Sequence, residues 1–262
     1  VNKIIIKTYK ELGEYIRMFK NQNADLLIIM SKAGYGKTTF LKDVMKNKEY
    51  VYVNTHSTPL KTYLTLYEKR DCPVVFDDLD AIFKSPVLVA MLKALSDTSP
   101  IKELNYSTTS KLIGNAPETF KTGSNVCILL NEFDVHNRSL APLIDRGFFI
   151  EFCPNKEEIL RKINYVQKSQ SIPETEKCVY DFIKENYQKI DNLSIRTYIK
   201  ALQLFRYNPD NWKEKFMLVV GFDEKVIEYL KLKELYESDN EKIEKFKWSR
   251  ATYFRIKQEV EE

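Results

Sequence analysis

The segment from Asp25 to Lys46 constrains this chain more than any other. A short apolar run, LLIIM (residues 26–30), leads into SKAGYGKT (31–38) and then into a helical stretch ending near Lys46. An unbroken apolar run of that length reads as a strand buried on both faces, as in parallel sheets covered by helices. The connecting loop holds two of only seven glycines among 262 residues. Where glycine is this scarce, a pair two residues apart, Gly34 and Gly36, marks backbone that has to turn without a Cβ.

The same alternation continues downstream. Residues 50–54, 73–76, 126–130 and 148–152 read as further strands, with helical spacing over 59–69, 86–95 and 140–144 between them. Residues 8–20 form an amphipathic helix before the first of these strands. The Thr/Ser-rich stretch from Lys102 to Lys121 is a hairpin or a surface loop, and Lys102, Tyr106 and Lys111 there are candidate contacts to a polymer. Alternating strands and helices predict an α/β fold, a five-stranded parallel sheet sandwiched by helices. After Pro154 apolar residues recur only at helical spacing, so three parts are expected. These are an α/β domain over 1–153, an all-α lid over 154–208 and a small helical domain over 209–262.

Composition excludes several classes. Two histidines, His56 and His136, are too few for a His-built metal site. Four cysteines without a C-x-x-C pair, in apolar surroundings, predict reduced, buried thiols and a cytoplasmic protein. No apolar run reaches the length of a membrane span. Ile4-Ile5-Ile6 is too short for a signal-peptide core. A net charge of +4 is too mild to identify a nucleic-acid binder without a local concentration of it.

The loop between the first buried strand and its helix has the chemistry of a phosphate site. Backbone N–H groups of Ser31 to Thr39 (Ser31, Lys32, Ala33, Gly34, Tyr35, Gly36, Lys37, Thr38, Thr39) and the positive end of the helix dipole favour an anion. Lys37 brings a cation to the β- and γ-phosphates, and the Thr38 hydroxyl is a Mg²⁺ ligand. Ser31 stands where the loop pattern has glycine. The strand at 73–76 ends in Asp77-Asp78, carboxylates at the sheet edge where open α/β folds bind ligands. Asp77 suits Mg²⁺ coordination, and Asp78 is placed to act as general base on a water.

Five motifs in order now carry a resemblance: SKAGYGKT, VVFDD, CILLNE, LIDRG and LSIR, spread over about residues 20–205. The chain resembles the AAA+ ATPases, a branch of the phosphate-loop NTPases. The resemblance implies that ATP and Mg²⁺ are bound and ATP hydrolysed. It assigns Asn131 to orienting the attacking water and Arg196, early in a lid helix, to the γ-phosphate. Arg146 becomes an arginine finger acting on a neighbouring subunit's ATP, with Arg138 as the substitute candidate. A finger acting in trans implies a homo-oligomer, typically a hexameric ring. Asp78 stands where the family usually has Glu, which bears on hydrolysis rate more than on nucleotide binding.

Residues 222–262 read as three helices resembling a helix-turn-helix or winged-helix DNA-binding domain. Residues 242–257 hold six basic side chains against Glu244 alone, a local excess of +5. Lys247, Arg250, Thr252, Tyr253, Arg255 and Lys257 are the expected DNA contacts, while Ala251, Phe254 and Trp248 pack inside. The expected function is a Mg²⁺-dependent ATPase acting on DNA in replication initiation, helicase loading or mobile-element remodelling. The alternatives are a nucleotide-switched DNA-binding protein with little turnover and a remodeller of protein partners.

Overall fold

Among the described residues, eight strands run through the first part of the chain: β1 (Ile4–Ile6), β2 (Leu26–Met30), β3 (Val51–Val53), β4 (Val74–Asp77), β5 (Lys102–Asn105), β6 (Thr119–Thr122), β7 (Val126–Leu130) and β8 (Phe148–Phe152). They belong to a computed structural model that describes residues 3–54, 57–77, 85–131, 141–169 and 172–261. Six of them form one sheet in the order β1-β8-β2-β7-β4-β3, every neighbouring pair parallel. The sheet therefore has six strands where the sequence predicts five. The additional strand is β1, which pairs with β8 from Ile4↔Ile150 to Ile6↔Phe152. Three residues at a sheet edge, with Ile5 62% exposed, are too few to leave a periodic signal.

Side-chain alternation explains the unbroken apolar runs. Leu26, Ile28, Phe76 and Ile128 face one core, which includes residues of α3 (Pro59–Glu68) and α4 (Pro86–Leu95). Leu27, Ile29, Val75 and Leu129 face a second core with α1 (Tyr9–Lys20) and α2 (Lys37–Met45). A strand covered on both faces has no polar side to alternate with. The α1 helix starts on a capping box, in which the Thr8 hydroxyl accepts from the Glu11 N–H at 3.2 Å and the Glu11 carboxylate accepts from the Thr8 N–H at 3.2 Å. The Thr8 hydroxyl, which donates to the Glu11 carboxylate at 2.8 Å, and after it the Lys7 N–H hold that carboxyl below its ordinary range.

The Thr/Ser-rich stretch is the antiparallel hairpin β5–β6. Lys102 is buried and donates to Asp25 Oδ1 at 3.1 Å and to the Ser124 carbonyl at 2.8 Å. It anchors the hairpin and is not available to a polymer. Tyr106 packs on Tyr63 with ring centroids 5.2 Å apart. After α5 (Ala141–Ile144), the turn into β8 passes so close to β2 that a Cβ on Gly147 would lie 2.2 Å from the Leu26 carbonyl oxygen. Of the four thiols predicted to be buried, only Cys127 is fully so; Cys72 is half-buried, and Cys153 and Cys178 are exposed.

The chain divides into two compact units, 1–155 and 156–262. The second is helical throughout its described residues: α6 (Lys156–Ser169), α7 (Lys177–Asn186), α8 (Ile195–Tyr207), α9 (Trp212–Val219), α10 (Glu224–Leu235), α11 (Asp239–Lys245) and α12 (Arg250–Glu261). Phe182 of α7 meets Trp212 of α9 edge-on at 5.3 Å, across the division expected between 208 and 209. Arg206 makes a bidentate pair with Glu176, both bonds 2.8 Å, and this holds the Glu176 carboxyl low. No helix among the described residues is long and apolar enough to cross a membrane.

Candidate functional site

The C-terminal ends of β2, β7, β4 and β3 lie side by side, and the loop from β2 to α2 sits on this edge. Its start is fixed by the sheet, because the Ser31 N–H donates to the Leu130 carbonyl at 3.1 Å and so continues the β2–β7 pairing. The chain then turns through two left-handed glycines, Gly34 at φ 94° and Gly36 at φ 73°, and Gly36 is the N-cap of α2. Any other L-residue would be strained at either position. Ser31 is buried and its hydroxyl donates to the Lys32 carbonyl at 3.3 Å, so serine fits where the pattern has glycine. Tyr9 of α1 donates to the Tyr35 carbonyl at 2.6 Å and ties the loop to its flanking helix. Burial first, and Cys153 second, push the Tyr35 phenol up.

Lys37 is only 8% exposed, yet its ammonium is well served: it donates to Asn131 Oδ1 at 2.6 Å and to the Ser31 carbonyl at 3.3 Å. Asn131, one residue past β7, is thereby brought to the loop. Thr38, the second residue of α2, donates its hydroxyl to Asp77 Oδ2 at 3.0 Å. Lys32 and Ala33 in the loop and Thr39 in α2 are exposed. Among the described residues no cluster of three or more His, Cys, Asp or Glu side chains gathers. A cation beside Thr38 and Asp77 would take its remaining ligands from phosphates and water, the habit of Mg²⁺. A buried lysine and helix N–H groups suit an anion, and a hydroxyl paired with a carboxylate suits a hard cation, so these residues fit a Mg²⁺–nucleoside triphosphate.

One member of this cluster has no motif. Tyr52 of β3 donates its phenol hydroxyl to the same Asp77 Oδ2 at 2.5 Å. Strand parity was the available signal. Val75 faces the α2 core, so Asp77, two residues on, faces it too, and Tyr52 lies on that face of β3 while Val51 and Val53 face the other.

No protein-family model matches the chain. A 36.7 kDa protein from the nrdC–mobD intergenic region of Enterobacteria phage T4 is 25% identical over 237 residues, covering 80% of this chain and 72% of that protein. Among solved structures, a proline-to-glycine variant of Thermotoga maritima RuvB superposes with a TM-score of 0.50 at 12% identity, covering 94% of this chain and 86% of that one. A lysine-to-arginine variant of the same protein gives 0.50 at 14%, covering 87% and 75%. RuvB is a Holliday junction branch migration motor. The chain has the AAA+ fold.

Within the AAA+ fold the remaining expected residues are placed less uniformly. Arg146 follows α5 half-buried and donates to the Lys93 carbonyl of α4 at 2.9 Å. Arg196 is exposed in the first turn of α8, whose N-cap Ser194 accepts from the Thr197 N–H at 3.1 Å. Asp78, Arg138, His56 and His136 lie outside the described residues.

In the C-terminal helices, α11 and α12 are joined by residues 246–249, and Ser238 caps α11. Ser249 caps α12, accepting from the Thr252 N–H at 3.2 Å. The expected phase of α12 needs correction. Tyr253 is fully buried between Tyr229 and Phe246 and donates to Asp239 Oδ1 at 2.8 Å, so it is not a surface contact. Phe254, expected inside, is 44% exposed with the Arg250 guanidinium 5.7 Å from its ring centroid. Lys257 is paired with Asp239, and Lys247 with Glu228 at 3.0 Å. Lys257 and Tyr253 together hold the Asp239 carboxyl low. Thr252 is half-buried, whereas Arg250 and Arg255 are exposed.

Proposed function

We propose that the chain binds ATP with Mg²⁺ at the phosphate loop, hydrolyses it, and couples that cycle to DNA. The observation that carries this reading is the side-chain cluster at the sheet edge, Lys37 on Asn131 and Thr38 on Asp77. Loop N–H groups and Lys37 hold the β- and γ-phosphates, and Thr38 and Asp77 hold the cation. When bound, Mg²⁺ neutralises charge developing on the transferred phosphoryl group. Asn131 orients a water in line with the γ-phosphate, and Asp78 takes its proton. Arg196 stabilises γ-phosphate charge from the same chain. Arg146, exchanging its bond to the Lys93 carbonyl, does so for a neighbouring copy in an oligomer. With Asp78 one methylene shorter than the usual Glu, turnover is slow relative to binding.

The DNA half of the reading is supported by the exposed Arg250 and Arg255 on α12 and by the fold shared with RuvB, a branch migration motor. Phosphate release should be measured with and without Mg²⁺ on single-stranded, duplex and forked DNA, with oligomeric state recorded by light scattering. The expected result is Mg²⁺-dependent release that rises when DNA is added to an oligomer. Tight ATP binding with no release on any DNA would replace this with the nucleotide-switch reading.

A further inference from the structure

We propose that Tyr52 is a positioning residue for the cation: its hydroxyl holds the Asp77 carboxylate in the one orientation that leaves an oxygen facing a Mg²⁺ ion. The inference rests on the nucleotide reading of the site. Asp77 Oδ2 accepts two hydrogen bonds, from Thr38 Oγ1 at 3.0 Å and from Tyr52 at 2.5 Å. Two donors on one oxygen pin the carboxylate plane and turn Oδ1 away from both. A serine or threonine hydroxyl can donate its hydrogen to a carboxylate while its lone pairs face a cation. Thr38 can therefore keep Asp77 and serve the metal together, and Tyr52 remains as the donor with no duty to the metal.

The surroundings make Tyr52 a built part of the site. It sits on β3, the strand next to β4, in register with Val75, two residues before Asp77. Lys42 lies one helical turn after Thr38 on α2, and its ammonium stands 4.3 Å from the Tyr52 ring centroid. One face of α2 thus touches Asp77 through Thr38 and Tyr52 through Lys42. A cation over the ring draws electron density from the phenol, which strengthens its hydroxyl as a donor. Outer partners that hydrogen-bond a metal-ligating carboxylate set its orientation, and their loss costs about 10- to 100-fold in metal affinity or activity.

The test is Tyr52→Phe, which removes one oxygen and keeps the ring under Lys42. Binding of a fluorescent ATP analogue is followed in EDTA and across a Mg²⁺ titration, with no turnover needed. Wild type should bind in EDTA and tighten with Mg²⁺. The variant should bind equally in EDTA but need about 10-fold more Mg²⁺ for the same tightening. In an Asp77→Asn background the Tyr52 change should have no further effect. An unmoved Mg²⁺ midpoint in Tyr52→Phe overturns the proposal. If wild type itself binds no ATP analogue, the nucleotide reading fails, which is a separate result. Should Tyr52→Phe also lose binding in EDTA, 3-fluorotyrosine at 52, with a more acidic hydroxyl on the same ring, decides: its Mg²⁺ midpoint must move, and an unmoved one overturns the proposal.

Discussion

Lys37 in the phosphate loop and Lys257 in the last helix each donate to an oxygen of their own chain, but different constraints stand behind the two bonds. Lys37 is buried, its backbone is fixed by two left-handed glycines and a sheet bond at Ser31, and its partner Asn131, just past β7, lies 94 residues away in sequence. Lys257 is half-exposed and pairs with Asp239 across a short helical turn. The first arrangement converges on a point in space. The second spends local basic residues on local acids, as Lys247 does with Glu228. A charge count over a helix overstates the field it offers to a ligand, because exposed pairs form at little energetic cost and little gain. A motif whose backbone is forced by glycine and by strand register does not have that weakness.

A series of variants probes this contrast. The largest effect is expected in the frame beneath the loop. Gly147→Ala puts a Cβ 2.2 Å from the Leu26 carbonyl oxygen and should destabilise the first unit by about 3 kcal/mol or more in denaturant unfolding. Gly221→Ala, at φ +83° with nothing within 4 Å, should cost only about 1 kcal/mol of backbone strain. Equal costs would remove the distinction between a converging frame and a tolerant one.

Next, Thr38→Ala should lower Mg²⁺-dependent phosphate release by up to about 100-fold, through loss of a cation ligand and of the Asp77 bond. Replacing Lys257 of α12 by Ala should not affect release comparably. In the tail, Arg250→Ala with Arg255→Ala should weaken duplex DNA binding roughly 10-fold and flatten its salt dependence by about two in slope, leaving ATP binding unchanged. Unaltered DNA binding in that double variant would mean that this helix face serves something else.

The smallest effect is a pH dependence. The Asp239 carboxyl is held below its ordinary value by Lys257, Tyr253 and Lys242, so its contribution to folding is complete above the unfolded value of about 4 and is lost as pH falls through the lowered one. Wild type should be more stable than Asp239→Asn at neutral pH, and the gap should close only below about pH 4. A gap independent of pH there would mean that the Asp239 bonds do not depend on its charge.

What the sequence revealed and what it hid follow the same division. The β2–loop–α2 unit and Asp77 were legible because scarce glycines, a lysine and a hydroxyl at fixed spacing allow few backbones. Strand β1 was hidden by being three residues long at an edge, and Lys102 by the rarity of a lysine buried on its hairpin with Asp25 as partner. Tyr52 carries no motif, and only the parity of β3 against β4 points to it. The phase of α12 was recoverable: Tyr253, Ile256 and Val260 repeat at three and four residues, and that stripe packs inward while Arg250, Phe254 and Arg255 lie outside it.

The central claim is that the buried Lys37 and its loop form a nucleoside-triphosphate site. Equilibrium titration of a fluorescent ATP analogue into wild type and Lys37→Ala, with Mg²⁺ and with unfolding curves recorded for both, tests it directly. Saturable binding by wild type is expected, with a loss of about 10- to 100-fold in the variant, the roughly 1.5–3 kcal/mol of a charge-assisted hydrogen bond to phosphate. Equal affinity for the two folded proteins would contradict it.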